Sequence, residues 1–93
     1  MALETIPFDA AEFLSSEEAQ IELLKDAFEE GDPTYIAHAL GVVAKARGMT
    51  QVAKEAGVTR EALYRALSTK GDPRLSTFLG VIKSLGLKLQ VAA

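Results

Sequence analysis

The stretch Met49-Thr-Gln-Val-Ala-Lys-Glu-Ala-Gly-Val-Thr-Arg-Glu-Ala-Leu-Tyr-Arg-Ala-Leu67 decides the fold. It reads as two short helices joined by a tight turn at Gly57-Val58. Val52, Ala53, Ala56, Val58, Leu63, Ala66 and Leu67 fall where such a pair needs its inward faces. Ala53 is small where the two helices would cross, so the backbones can approach. Gly57 can take the left-handed conformation that stops the first helix without steric cost. Thr59 is suited to cap the second. On that second helix the inward stripe leaves Arg60, Glu61, Tyr64, Arg65 and Ser68 on the outer face. The pattern is a helix-turn-helix signature, in which the second helix enters the DNA major groove. The plainer alternative is a helical hairpin inside a small bundle.

Working outward, more helices are expected on both sides. Ser15 and Glu18 have capping-box spacing, so a helix is predicted to start there. Ile21, Leu24, Ala27 and Phe28 repeat at helical intervals until Gly31. Asp32 as N-cap and Pro33 at the first helical position open a second helix. Its inward stripe is Ile36, Leu40, Val43 and Ala44, and Gly48 ends it. Gly41 lies mid-helix at a cost of about 1 kcal/mol relative to alanine, which close packing of a neighbour would justify. Beyond the loop at 68–72, a fifth helix is expected to start between Pro73 and Ser76. Leu75, Phe78, Leu79, Ile82 and Leu85 supply its apolar face, with Gly86 as its cap. Residues 87–91, Leu-Lys-Leu-Gln-Val, alternate apolar and polar as a strand does. A lone strand exposes unpaired backbone groups, so it requires a pairing partner.

The expected architecture is one all-α domain over residues 1–93. Residues 1–32 form an acidic arm and first helix, 33–86 the helical core with its motif at 50–67, and 87–93 a short C-terminal β-strand and tail. Ninety-three residues make a small core, which dimerisation would support. Cysteine is absent, which removes disulfide and thiolate chemistry. No apolar run approaches a membrane span, and no signal-peptide pattern opens the chain, so a soluble cytoplasmic protein is expected.

Net charge is −3, but it is sharply partitioned. Residues 1–32 hold ten acids against Lys25, a net −9. Residues 33–93 hold nine bases against Glu55, Glu61 and Asp72, a net +6. Segments of opposite sign imply two partners, or one segment shielding the other.

Arg60 and Arg65 can each bond a guanine edge bidentately or grip a phosphate. Glu61 can accept from a cytosine amino group or pair with Arg65 one turn on, and the pairing is favoured. Tyr64 can bond a phosphate, touch a thymine methyl or serve as a half-buried core aromatic. Gln51 and Thr59 stand at helix starts, where phosphates often bind. Lys70 and Arg74 flank the groove and supply non-specific affinity, while Lys54 reads as a solvated charge. His38 is the single histidine, so a zinc site is not expected. No paired nucleophile and base and no glycine-rich phosphate loop are present, so no catalytic residue, cofactor or small-molecule substrate is assigned.

The ordered set of motifs resembles the addiction-module antidote proteins, the HigA-like antitoxins with a Cro/lambda-repressor-like domain. The matching pieces are Phe8-Asp-Ala-Ala-Glu-Phe-Leu14, Glu30-Gly-Asp-Pro33, Ala46-Arg-Gly-Met-Thr-Gln51, the motif from Val52 to Ser68, Gly71-Asp-Pro73, Thr77-Phe78 and Leu85-Gly-Leu-Lys-Leu89. One departure stands out: Gln51 lies six residues before Gly57, where the broader lambda-repressor pattern places a glutamine eight before. The resemblance implies a repressor that binds double-stranded operator DNA of its own operon and neutralises a RelE-like toxin, typically a small basic ribonuclease. Thr59, Arg60, Glu61, Arg65 and Ser68 match the family's DNA-facing positions. A basic partner suits the acidic segment, with Ile6, Phe8, Phe13 and Leu14 as apolar anchors; a competing expectation is strand pairing between the tail and the toxin's sheet. A homodimer is expected, joined through the C-terminal strand or the fifth helix. Two other readings remain: a stand-alone Cro-like regulator without a toxin, and a helical protein-interaction module.

Overall fold

The computed structural model describes residues 16–68 and 70–93. Among them five helices follow one another: α1 (Glu17–Glu30), α2 (Pro33–Arg47), α3 (Met49–Ala56), α4 (Arg60–Ala66) and α5 (Leu75–Ser84). No helix among the described residues is long and apolar enough to cross a membrane. The all-α expectation agrees with this architecture.

Local sequence explains most boundaries. At the start of α2 the Asp32 carboxylate accepts from the Thr34 N–H at 3.4 Å, and Pro33 occupies the first turn, where no amide proton is missed. The start of α1 corrects an expectation. Its cap is Ser16 rather than Ser15, and Ser16 Oγ accepts from the Ala19 N–H at 3.2 Å. The third helical position is thus Ala19, so no glutamate can close a capping box there. The acidic arm and Ser15 lie outside the described residues.

α2 is the central element. Ala37, Ala39, Leu40, Gly41, Val43 and Ala44 are all buried, so more than one narrow stripe is covered. Small residues let neighbours come close: a Cβ on Gly41 would lie 3.2 Å from the Leu67 carbonyl oxygen. The mid-helix glycine is therefore justified by close approach, as expected. α1 lies against α2, with Leu24 and Ala27 in the core. Two polar ties hold that pair. Tyr35 Oη donates to Asp26 Oδ2 at 2.6 Å, which holds the phenol proton and raises its pKa above the ordinary value. At the other end of α2, Arg47 Nε donates to Gln20 and Nη1 to the Leu85 carbonyl at 3.3 Å, while Nη2 lies 3.8 Å from the Glu17 carboxylate. One side chain thus joins α1, α2 and the end of α5.

α3 packs on α5. Val52 and Ala53 meet Val81 and Ile82 within one apolar cluster that also holds Leu40, Leu63 and Leu67. Phe28 and Phe78 close it edge-to-face, with centroids 6.3 Å apart and planes at 86°. The inward face of α5 is only in part the expected one: Ile82 and Leu85 are buried and Phe78 packs on the core as expected. Thr77, Val81 and Ile82 are buried, whereas Leu75 is 70 % exposed and Leu79 45 %. The apolar residues form one wide arc from Val81 round to Leu79, and the core covers its Val81 edge extended to Thr77, leaving the Leu75 and Leu79 edge in solvent. Gly80 decides it, because Ala56 Cα lies only 3.0 Å from where its Cβ would be.

The expected C-terminal β-strand is also corrected, since residues 87–93 carry no strand. The Leu87 N–H turns back to the Ile82 carbonyl at 3.1 Å and completes the end of α5. Leu87 packs on the core, but Leu89 is 48 % exposed and Val91 99 %. Alternation alone cannot make a strand without a neighbouring backbone to bond.

Gly80→Ala should destabilise the fold by about 1–3 kcal/mol, because the new methyl meets α3 backbone rather than a flexible side chain. Urea unfolding followed by circular dichroism measures it; wild-type stability would mean the helices can separate freely.

Candidate nucleic-acid interface

The turn between α3 and α4 sets the geometry. Gly57 adopts φ 78°, and the Val58 N–H reaches back to the Ala53 carbonyl at 3.0 Å. A residue with a Cβ would be strained at that φ. Thr59 then caps α4, its hydroxyl accepting from the Ala62 N–H at 3.0 Å. Val52, Ala53, Leu63 and Leu67 are buried, and Ala56, Val58 and Ala66 are half-buried. The opposite side of α4 presents Arg60, Glu61, Tyr64, Arg65 and, just beyond its end, Ser68, all exposed.

Tyr64 is 38 % exposed, too open for a core aromatic. Its ring carries two cations. The Arg60 guanidinium carbon lies 5.3 Å from the ring centroid and Lys45 Nζ 5.7 Å from it. Arg60 Nη2 also lies 3.4 Å from the Tyr64 hydroxyl. Lys45 comes from α2 and was not among the residues singled out from sequence. Nothing in the local pattern marks it, because the contact spans two helices.

Arg65 points into a groove of about 660 Å³ between α4 and the start of α5, which Ser68, Lys70 and Arg74 also line. Asp72 is the single carboxylate there among the lining residues. Among the described residues no ion pair joins Glu61 to Arg65, so the favoured pairing is not formed. Both side chains are exposed, where such a pair gains little. Ser68 Oγ donates to the Arg65 carbonyl at 2.9 Å. Gln51 stands apart on α3, its amide donating to Glu55 at 2.8 Å. Ile6, Phe8, Phe13 and Leu14 lie outside the described residues.

This surface gathers guanidinium and ammonium groups without carboxylate partners among the described ion pairs. Such groups can grip phosphate oxygens, and a guanidinium can also bond a base edge bidentately. The arrangement depends on the α4 cap. Thr59→Ala should cost about 1 kcal/mol of stability, read as a lower urea midpoint with an unchanged slope; an unshifted midpoint would remove the hydroxyl from that role.

A family model described as probable addiction module antidote protein matches residues 4–93. An uncharacterized protein of Haemophilus influenzae is 45 % identical over 84 residues, covering 90 % of this chain and 87 % of that relative. No solved structure matches the chain. With nearly every residue matched, the chain belongs to the family of probable addiction module antidote proteins, the antitoxin side of toxin–antitoxin modules.

Proposed function

We propose that this antitoxin is also a sequence-specific DNA-binding repressor of its own operon, built on a Cro/lambda-repressor-like helix-turn-helix formed by α3 and α4. The observation that carries this reading is the outer face of α4. Leu63 and Leu67 are buried while Arg60, Tyr64 and Arg65 stand together in solvent. α4 is the recognition helix, and Arg60 and Arg65 are its principal contacts. Thr59, Glu61, Tyr64 and Ser68 contribute at its edges, and Gln51, Lys70 and Arg74 meet the backbone on either side. A short helix-turn-helix domain reads one half-site, so the protein binds as a two-fold dimer with recognition helices about 34 Å apart.

The toxin partner is a RelE-like basic protein, as in HigA-like modules. The net −9 of residues 1–32 supports this division of labour, since that segment would be repelled by DNA and attracted by a basic surface. Ile6, Phe8, Phe13 and Leu14 are the anchors on that side.

Alanine at Arg60 or Arg65 should cost on the order of 1–3 kcal/mol of operator affinity each. A gel-shift titration on DNA upstream of the protein's own gene checks it; unchanged affinity in the double variant sinks the assignment. Light scattering on the same complex should find two chains per operator, and one chain would exclude the dimer. Deletion of residues 1–14 should abolish co-purification with the protein encoded beside this gene while sparing operator binding. Full neutralisation by the truncated chain would move the toxin site elsewhere.

A further inference from the structure

A cleft lies between α2 and α4. His38, Val42 and Lys45 follow at helical spacing along one side of α2 and form one wall of a cleft of about 290 Å³. Tyr64 and Ser68 stand on the other wall. Lys45 and Arg60 both lie over the Tyr64 ring, at 5.7 and 5.3 Å from its centroid. The ring face attracts each cation, but the two cations repel one another. Among the described residues neither has a carboxylate ion pair to offset that repulsion. An anion entering beside the ring would offset it for both at once.

We propose that this cleft takes a backbone phosphate of duplex DNA, with Lys45 as the contacting cation and Tyr64 as the residue that positions it. The inference rests on α4 being the recognition helix. Tyr64 and Ser68 belong to the α4 side of the cleft, so DNA held along the outer face of α4 brings its backbone to this mouth. The occupant is duplex DNA rather than a free ion because the cleft is open and partly apolar, with Val42 and Leu67 among its lining, so it cannot enclose a small anion by itself. α2 thereby adds a grip from outside the two-helix motif, which fixes the orientation of α4 without reading sequence.

The test uses the full chain and a duplex from upstream of its own gene, with affinity measured by fluorescence anisotropy across a salt series. Loss of one phosphate contact should reduce the steepness of log K against log salt by about 0.9. Lys45→Ala should show that change and several-fold weaker binding at moderate salt, with an unaltered melting curve because Lys45 is exposed. Lys45→Arg should restore the wild-type slope. Tyr64→Leu should flatten the slope part of the way, and the Lys45→Ala/Tyr64→Leu double variant should be no flatter than Lys45→Ala alone. A wild-type slope in Lys45→Ala, alongside weakened binding in Arg65→Ala, overturns the phosphate site while leaving the recognition helix standing. A wild-type slope in Tyr64→Leu overturns the positioning role. Failure of the folded wild-type chain to bind the duplex overturns the recognition-helix reading, and this site falls with it.

Discussion

The close approach of α2 to the end of α4 at Gly41 governs the rest of the arrangement. With the Leu67 carbonyl 3.2 Å from where a Cβ would sit, a side chain at position 41 would require the end of α4 to give by a few tenths of an ångström. The separation decides whether Lys45 reaches the Tyr64 ring, whether Leu67 stays buried and how deep the cleft beside them is. A second contact of the same kind, Gly80 against Ala56, seats α5 on α3. Two absent side chains thus permit the close approach of α2 to the end of α4 and of α5 to α3. Interiors pack at near-crystalline density, so shifts of a few tenths of an ångström are felt.

Where structure follows from nearby residues, it was legible. Gly57 and Thr59 announce the turn, and the spacing of Leu63 and Leu67 announces which side of α4 is covered. Both signals act within a few residues. α5 was harder, because Leu75, Leu79, Val81 and Ile82 are all apolar and the choice among faces is made by a neighbour that sequence does not display. Ser15 and Ser16 are the same residue type one position apart, so spacing to a glutamate pointed to Ser15 whereas Ser16 caps α1. The tail alternated like a strand, yet strand formation depends on a second backbone.

The candidate surface was legible in part for the same reason. Arg60, Tyr64 and Arg65 share one helix, so periodicity alone groups them. Lys70 and Arg74 belong to a loop, and their place beside Arg65 depends on how that loop returns to α5. Lys45 is nineteen positions from Tyr64 and enters only through the crossing of α2 and α4. Arg47 carries no local signal of its role either, yet it bonds Gln20 and the Leu85 carbonyl and joins three elements.

The partition of charge has a further physical consequence. α1 carries six acids against Lys25, while α4 and the following loop carry Arg60, Arg65, Lys70 and Arg74 against Glu61 and Asp72. A body with separated charge of opposite sign has a permanent electric dipole, whatever its net charge. Near a polyanion the field falls off with distance, so the basic end is drawn in while the acidic end is pushed away. The resulting torque acts within roughly a Debye length, about 8 Å at physiological ionic strength. Such a molecule is turned before it touches anything, and a modest net −3 does not keep its basic end from a negatively charged surface.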